Sequence, residues 1–440
     1  MCLDLLEKHN ACQRLTAVAL NRTYAPAGSR YVEADKRQAS LSAPNLRELT
    51  LAYDWPREES IGNQKRRRPL PFSLGELPHL SSFIASRAPF SDIRTFFRPT
   101  ITHLSLLHLF ERIPTDQFLS ALKSMPLLEV LELHTALSPF DGRHIRPHHF
   151  QHLRRLAFAD CMATLADYLT SLVFHASSLE SIEISCEPLQ CNTPQDGPML
   201  PHRLRSIVGR LRGLLREPMR SMHIHNKESH NSPLEIAGWS TSDVPSSTIR
   251  PLLELKIAER NGRHDVLELI IVALSEMEVE NVRTLTYGFL DVPKDPIRRV
   301  RIPLPLYLEE YGMVYSRFIQ TEVITIDLGL APRLRDAMMM RFPLDWQEIR
   351  QRLVHWFEYL DELPETGLPE EGQENRKFLF PAIKTVIVQW KQSFSRDQGT
   401  TMEHLRKQFA EASAFRGQEI EILSNVLPAS STMNNFVFFG

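Results

Sequence analysis

The 440-residue sequence is poor in glycine, with 17 glycines beside 30 prolines. Phosphate-binding and dinucleotide-binding loops need closely spaced glycines, and neither G-x-x-x-x-G-K-[ST] nor G-x-G-x-x-G occurs. The sequence also lacks the G-x-S-x-G and H-E-x-x-H motifs of hydrolases and zinc proteases. Because no catalytic or cofactor-binding motif is present, we expect a non-enzymatic protein without a cofactor or metal ion.

Cysteine is also scarce. The five cysteines are an odd number and form no C-x-x-C pair. This pattern predicts neither a disulfide framework nor a zinc site, and it is typical of a reducing compartment. The formal net charge of −2 provides no basic field for nucleic acid or a membrane surface.

Long apolar segments are missing as well. The best candidate, Val266 to Leu274, has nine residues and contains Glu268, whereas a membrane-spanning helix needs roughly 18 or more. The opening segment MCLDLLEKHN carries two acidic residues and does not read as a signal peptide. We expect a cytoplasmic or nuclear protein that binds neither membrane nor nucleic acid.

Leucine, in contrast, is abundant: 60 residues, of which 32 lie among the first 200. Many belong to a recurring phrase, apolar-x-x-apolar-x-apolar. Good copies start at Leu46, Ile101, Leu128, Leu153 and Leu179, and weaker copies start at Leu15, Leu80, Met219, Leu252, Val282, Val323 and Ile383. From residue 101 to residue 179 the starts are 27, 25 and 26 residues apart.

The phrase predicts a short strand, because its last two apolar positions alternate with polar ones. The segments Phe118 to Lys123 and Met162 to Ala176 have helical apolar spacing and would return the chain to the next strand. Parallel strands alternating with helices predict an α/β fold, an irregular leucine-rich-repeat solenoid with strands on the concave face and helices on the convex face. Pro44, Pro78 and Pro126 stand two residues before a phrase, where a proline would end the preceding helix.

We divide the chain into two regions. Residues 1–332 contain the irregular repeats, with insertions near 52–76, 187–202 and 226–248. Residues 333–440 continue the solenoid with helices and strands, and include an acidic loop at 358–374.

The polar residues that alternate with the buried positions would project into the concavity and form a candidate protein-binding face. Its members are small, polar or of mixed charge, which favours a protein partner over nucleic acid. The residues we assign to this face are Glu132, His134, Arg155, Glu183, Ser185, His223, His225, Glu254 and Lys256. The alternative is that the face is merely solvated.

Two local features allow more than one interpretation. The Lys65 to Arg68 run reads as a solvated loop, with a nuclear import signal as the alternative. His223 and His225 alternate on one predicted strand, where a zinc site is the weaker alternative to a polar surface. An enzyme on the repeat frame would rest on such histidines alone.

Four phrases, "LSAPNLRELTLAYDW", "LKSMPLLEVLEL", "FQHLRRLAFADC" and "ASSLESIEISC", resemble the fungal F-box-like leucine-rich-repeat proteins, especially the large basidiomycete set. The resemblance covers most of residues 1–330, and the closing segment "MEHLRKQFAEASAFRGQEIEIL" is similar to how such chains end. In that family an N-terminal F-box docks on a Skp-type adaptor of a cullin ubiquitin ligase, and the repeats present a substrate. The resemblance therefore implies the substrate-binding repeat region of an F-box-type ubiquitin ligase receptor.

The sequence departs from the family where the F-box should be. An F-box starts with leucine-proline and continues with I-F-like and V-C-R-x-W-R-like segments. Leu77-Pro78 and Leu363-Pro364 are not followed by that pattern. Either an upstream exon is missing from the gene model or the F-box is truly absent. The alternative function is a free-standing repeat scaffold or inhibitor-like binder with no ubiquitin link.

Overall fold

The computed structural model describes residues 15–23, 43–54, 77–139, 148–174, 179–187, 200–212, 214–215, 217–226, 234–242, 249–258, 266–287, 317–327, 331, 334–335, 338, 341–342, 377–378, 380–391 and 398–427. The chain divides into two compact units, Met1–Asn192 and Thr193–Gly440. Both are α/β with a mostly parallel sheet, which confirms the predicted class.

Seven parallel strands form the sheet described in the first unit, in the order β1-β2-β3-β4-β5-β7-β9. The strands are β1 (Ala17–Thr23), β2 (Glu48–Asp54), β3 (Ser82–Ser86), β4 (His103–Leu107), β5 (Val130–His134), β6 (His148–Phe150), β7 (Arg155–Cys161), β8 (Leu172–Phe174) and β9 (Ser181–Glu187). Strands β6 and β8 pair separately. The helices are α1 (Phe90–Ile93), α2 (Thr115–Lys123) and α3 (Met162–Ser171).

The second unit holds a sheet in the order β12-β11-β10-β13-β14-β17-β18 among its described residues. Its elements are α4 (Leu200–Arg212), β10 (Ser221–Asn226), β11 (Leu234–Trp239), β12 (Leu253–Ile257), α5 (Val266–Glu276), β13 (Thr284–Tyr287), β14 (Val323–Asp327), β15 (Arg341–Phe342), β16 (Lys377–Phe378), β17 (Thr385–Lys391), α6 (Gln398–Arg416) and β18 (Glu421–Leu427). Strand β11 runs antiparallel to both neighbours. The predicted boundary at 332/333 lies inside this unit.

The repeat phrase marks strands and buried positions together. In the phrase at Leu128, strand β5 carries Leu131 and Leu133, and all three leucines are buried. The same holds for Leu46, Leu49 and Leu51 around β2. Helix α2 buries Phe118, Leu119 and Leu122, the spacing that the sequence indicated. The core therefore forms where the apolar face of the sheet meets the returning helices.

Prolines shape the entry to several strands. The amide of Leu46 donates to the carbonyl of Ala43 at 3.0 Å, which closes a four-residue turn with Pro44 in its second position. Equivalent bonds close the turns around Pro78 and Pro126. Proline suits that position because its φ is already close to the value that the turn requires. These three prolines therefore serve as turn residues just before the repeat phrase.

A repeated hydrogen bond joins each repeat to the next at the start of the strand. The carbonyl of Thr102 accepts both Glu129 N (2.8 Å) and Val130 N (2.9 Å). We call the residues that supply this doubly accepting carbonyl the strand-start row: Thr16, Arg47, Ser81, Thr102, Glu129 and Arg154 in the first unit, and Arg220, Arg283 and Glu322 in the second. Glu180 and Lys384 occupy the next positions in the two rows. Since both donors of each pair come from the following repeat, the row fixes the register of neighbouring repeats.

Left-handed backbone recurs where strands end. Arg87, His108 and Thr135 directly follow β3, β4 and β5 and have φ of 52°, 48° and 44°. Their amides donate to the carbonyls of the next strand, for example Thr135 N to Ala159 O at 2.7 Å. None of these positions is a glycine, although glycine adopts this conformation at the lowest cost.

Two elements differ from the sequence expectations. Residues 226–248 were expected to be an insertion, yet Leu234–Trp239 forms strand β11, whose Leu234 and Ile236 join the buried face. A helix was expected over 162–176, but α3 ends at Ser171 and Leu172–Phe174 forms β8. Branched and aromatic side chains favour strand there, and pairing with β6 provides the backbone partners.

Several predicted segments fall outside the described residues. These are Lys65 to Arg68, most of the insertion at 52–76, residues 188–199 of the insertion at 187–202, and the acidic loop at 358–374. Cys161 and Cys186 are both free thiols. Cys161 registers with Glu187 and Cys186 with Asp160, so the two cysteines point to opposite faces of the sheet.

Candidate protein-binding face

The predicted face residues of the first unit come together on one side of the sheet. Directly registered residues of neighbouring strands share a face. One row contains Glu132 and Glu183, the next contains Arg155, and a third contains His134 and Ser185. All five side chains are half-buried, while the apolar residues that alternate with them are buried. The alternation in the sequence therefore placed these five residues correctly on the exposed side.

An ion-pair network connects three of these residues across β5, β7 and β9. Arg155 Nη1 lies 3.1 Å from Glu132 Oε1, and Arg155 Nη2 lies 4.0 Å from Glu183 Oε2. The three side chains are 27–29% exposed. One guanidinium between two carboxylates leaves a net negative charge, and Glu187 adds another carboxylate on the same face of β9. This part of the face is therefore acidic, with one arginine at its centre.

His134 lies beside this network. Burial lowers its pKa below the usual value, the charge of Glu183 opposes the shift, and His108 adds to it. The rings of His108 and His134 are 6.1 Å apart in an edge-to-face arrangement, and His108 Nδ1 lies 2.6 Å from Thr135 Oγ1. A neutral His134 has one donor and one acceptor nitrogen, so it can hydrogen bond to either type of partner group.

The second unit contains the remaining four predicted residues, on strands β10 and β12. His223 and Lys256 are half-buried, as expected for the face. His225 and Glu254 are only 8% and 4% exposed, so the expectation that they are exposed is wrong. Lys256 Nζ lies 3.1 Å from Glu254 Oε1, and the rings of His223 and His225 are 5.5 Å apart. Each of the two buried side chains thus contacts a half-buried neighbour on its own strand.

His223 has the larger pKa change. Burial, reinforced by the positive charge of a protonated His225, lowers the pKa of His223 to about 4. The ring is therefore neutral at physiological pH. Glu254 and His223 both register with Ala237, so strand β11 separates them. Across the described parts of the chain, no three histidine, cysteine, aspartate or glutamate side chains are placed to hold a metal ion.

Two residues that the sequence reasoning did not assign support the face from below. Asp160 is fully buried and accepts bonds from Arg112 Nη1 (3.2 Å) and the amide of Cys161 (2.7 Å). Burial raises the pKa of Asp160, and the hydrogen bond from the Cys161 amide and the charge of Arg112 oppose this shift. The ion pair ties the segment after β4 to strand β7. Asp160 lies between Ala159 and Cys161, where the sequence has no polar alternation, so the sequence offered no signal for it.

No protein-family model and no curated protein matches this chain. Among the helices that the structure describes, none combines the length and apolar character needed to cross a bilayer.

Proposed function

We propose that the chain is a non-enzymatic protein-recognition module of the leucine-rich-repeat type, and that the polar face of its strands binds a protein partner. In this proposal the strands line the concave side of a solenoid and the helices its convex side. The observation that carries the proposal is the Glu132–Arg155–Glu183 network, in which three neighbouring strands of the sheet, β5, β7 and β9, each present one partly exposed charge.

The chemistry of this face suggests what the partner presents. Three carboxylates and one guanidinium attract a surface with more basic than acidic groups, and complementary charge raises association rates. A basic group of the partner would compete with Arg155 for the carboxylate of Glu132 or Glu183. Binding should therefore weaken as the salt concentration rises.

A photo-crosslinking experiment tests the proposal. A photoreactive amino acid replaces Ser185, which is half-exposed on the face, and the matched control replaces Lys123, which is exposed on helix α2. We expect the photoreactive residue at position 185 to form a specific covalent adduct with the partner protein, and this adduct should disappear in Arg155→Glu. The photoreactive residue at position 123 should form no such adduct. Equal labelling from both positions, or an adduct unaffected by Arg155→Glu, would contradict the proposal.

The resemblance to F-box-like repeat proteins supports a narrower role as the substrate-binding region of a ubiquitin ligase receptor. Co-expression with a Skp-type adaptor and size-exclusion chromatography tests this role, with a stable complex as the expected result. A free-standing scaffold or inhibitor-like binder is the second candidate, because it requires only the repeat face. It is favoured if the adduct from position 185 forms while the adaptor does not co-elute.

A further inference from the structure

An exception in the strand-start row of the second unit points to a second binding site. Arg220 and Arg283 occupy neighbouring positions, and Arg283 N donates to Arg220 O at 2.7 Å. Adjacent strands lie about 4.8 Å apart, so two arginine side chains leave the sheet edge close together. Elsewhere in the rows, adjacent charges are opposite: Arg154 pairs with Glu180 at 2.6 Å and Lys384 with Glu322 at 3.0 Å.

The segment after β11 completes the site. Ser240, Thr241 and Ser242 follow the strand and, with Arg220 and Arg283, line a cleft of about 400 Å³ that is open to solvent. The segment is held at both ends. Arg220 N donates to Trp239 O at 2.7 Å, and Thr284 Oγ1 donates to Ser242 O at 2.7 Å. Two arginines, two serines and a threonine therefore border one cleft, and the backbone of the Ser240–Ser242 segment is tied to the sheet.

The charges of this cleft are not balanced by the described residues. Neither Arg220 nor Arg283 forms an ion pair with a carboxylate in the parts of the chain that the structure describes. Glu322 follows Arg283 in the strand-start row, and its Oε2 lies 3.0 Å from Lys384 Nζ. Like charges at registered positions of adjacent strands destabilise a sheet. An anion between the two guanidinium groups would remove that repulsion.

We infer that the Arg220–Arg283 cleft binds the phosphoryl group of a phosphate monoester. Guanidinium groups match the oxygen geometry of phosphate and can bind it in a bidentate manner. The hydroxyl groups of Ser240, Thr241 and Ser242 can donate to the remaining oxygens. Because the cleft is open to solvent, it can receive a phosphoryl group carried on a larger molecule. This site lies on the second unit, whereas the Glu132–Arg155–Glu183 network lies on the first.

Titration with inorganic phosphate by isothermal calorimetry, at constant ionic strength, tests the inference. The full chain should bind phosphate saturably, and Arg220→Met or Arg283→Met should each weaken binding by about tenfold, because a hydrogen bond to a charged group is lost. Arg94→Met is the matched control, since Arg94 is exposed on the first unit. Thr241→Val, at an exposed position of the cleft, provides a milder variant if an arginine variant misfolds.

Saturable binding that Arg220→Met, Arg283→Met or Thr241→Val reduces, and that Arg94→Met leaves unchanged, supports the site. No saturable binding, or equal binding by all variants, overturns it. A second arm identifies the source of the phosphate, using a degenerate peptide library with a central phosphoserine and the same library with serine. Phosphopeptides that bind more tightly than inorganic phosphate, and lose binding in Arg283→Met, indicate a phosphorylated protein. Phosphate binding without that advantage indicates a small phosphate. Neither result depends on crosslinking from position 185.

Discussion

The ring of His223, which is neutral in the folded protein, should make the second unit lose stability as the pH falls. The pKa of a histidine in an unfolded chain is about 6.5, and in the folded protein that of His223 is about 4. Below pH 6.5 the unfolded chain takes up a proton that the folded protein does not. The free energy of unfolding therefore decreases as the pH falls from about 6.5 towards 4, and at pH 7 the contribution of His223 is fully present.

The magnitude follows from the same two values. At pH 5 the unfolded histidine is almost fully protonated and the folded one is mostly neutral, which gives a loss of about 2 kcal/mol relative to pH 7. The measurement is denaturant unfolding between pH 7 and pH 5, compared between the wild-type protein and His223→Gln. Buried Trp239 on β11, which pairs with β10, makes tryptophan fluorescence a suitable probe. The free energy of unfolding of the wild-type protein minus that of His223→Gln should decrease or change sign as the pH falls.

The matched control is Thr286→Val, because Thr286 registers with His223 on strand β13 and does not titrate. Its effect on the free energy of unfolding should be the same at every pH. A difference between wild type and His223→Gln that stays constant from pH 7 to pH 5 would refute the reasoning. It would show that the ring is protonated in the folded protein or solvated there.

Three further predictions concern the first unit and strand β11. Leu131→Asp should destabilise the protein by about 3–5 kcal/mol because it buries a charge, whereas Glu132→Gln on the exposed face should not. Equal melting temperatures for these two variants would show that the register is wrong. A double-mutant cycle of Glu132→Gln and Arg155→Met should give a coupling energy of about 0.2–1 kcal/mol in chemical unfolding. A value near zero would show that the Glu132–Arg155 ion pair does not stabilise the fold. Gly238→Ala should cost about 1–3 kcal/mol because its Cβ would overlap Met219 Sδ, and Met219→Ala should relieve that cost. Additivity of the two changes in free energy would contradict the contact.

Much of the fold could be predicted because the repeat phrase links strand and burial in six residues. The alternation around Leu131 and Leu133 set both the position of β5 and its buried side. Strand β11 could not be predicted in this way. It lies in a stretch rich in serine and asparagine, and its stability depends on antiparallel partners on both sides. The early end of α3 likewise depends on β6, a partner more than 20 residues away in the sequence.

The candidate face shows the same division. Alternation within one strand predicted that the side chains of Glu132, His134 and Glu183 would point away from the core. It could not predict that Arg155 reaches Glu132, because that contact depends on the lateral register of β5 and β7. Nor could it predict the burial of Glu254, which has the same alternation but lies against β11 and beneath Lys256.

The left-handed residues at the ends of β3, β4 and β5 have a consequence for how such a chain can change over evolution. A non-glycine residue in this conformation costs about 1 kcal/mol, and the hydrogen bonds to the next strand hold it there. In exchange, each of these positions carries a side chain where a glycine would carry none, and His108 uses its side chain to contact Thr135 on the neighbouring repeat. The scarcity of glycine thus leaves these corners open to substitution, so that surface chemistry at the strand ends can diversify while the backbone course stays the same.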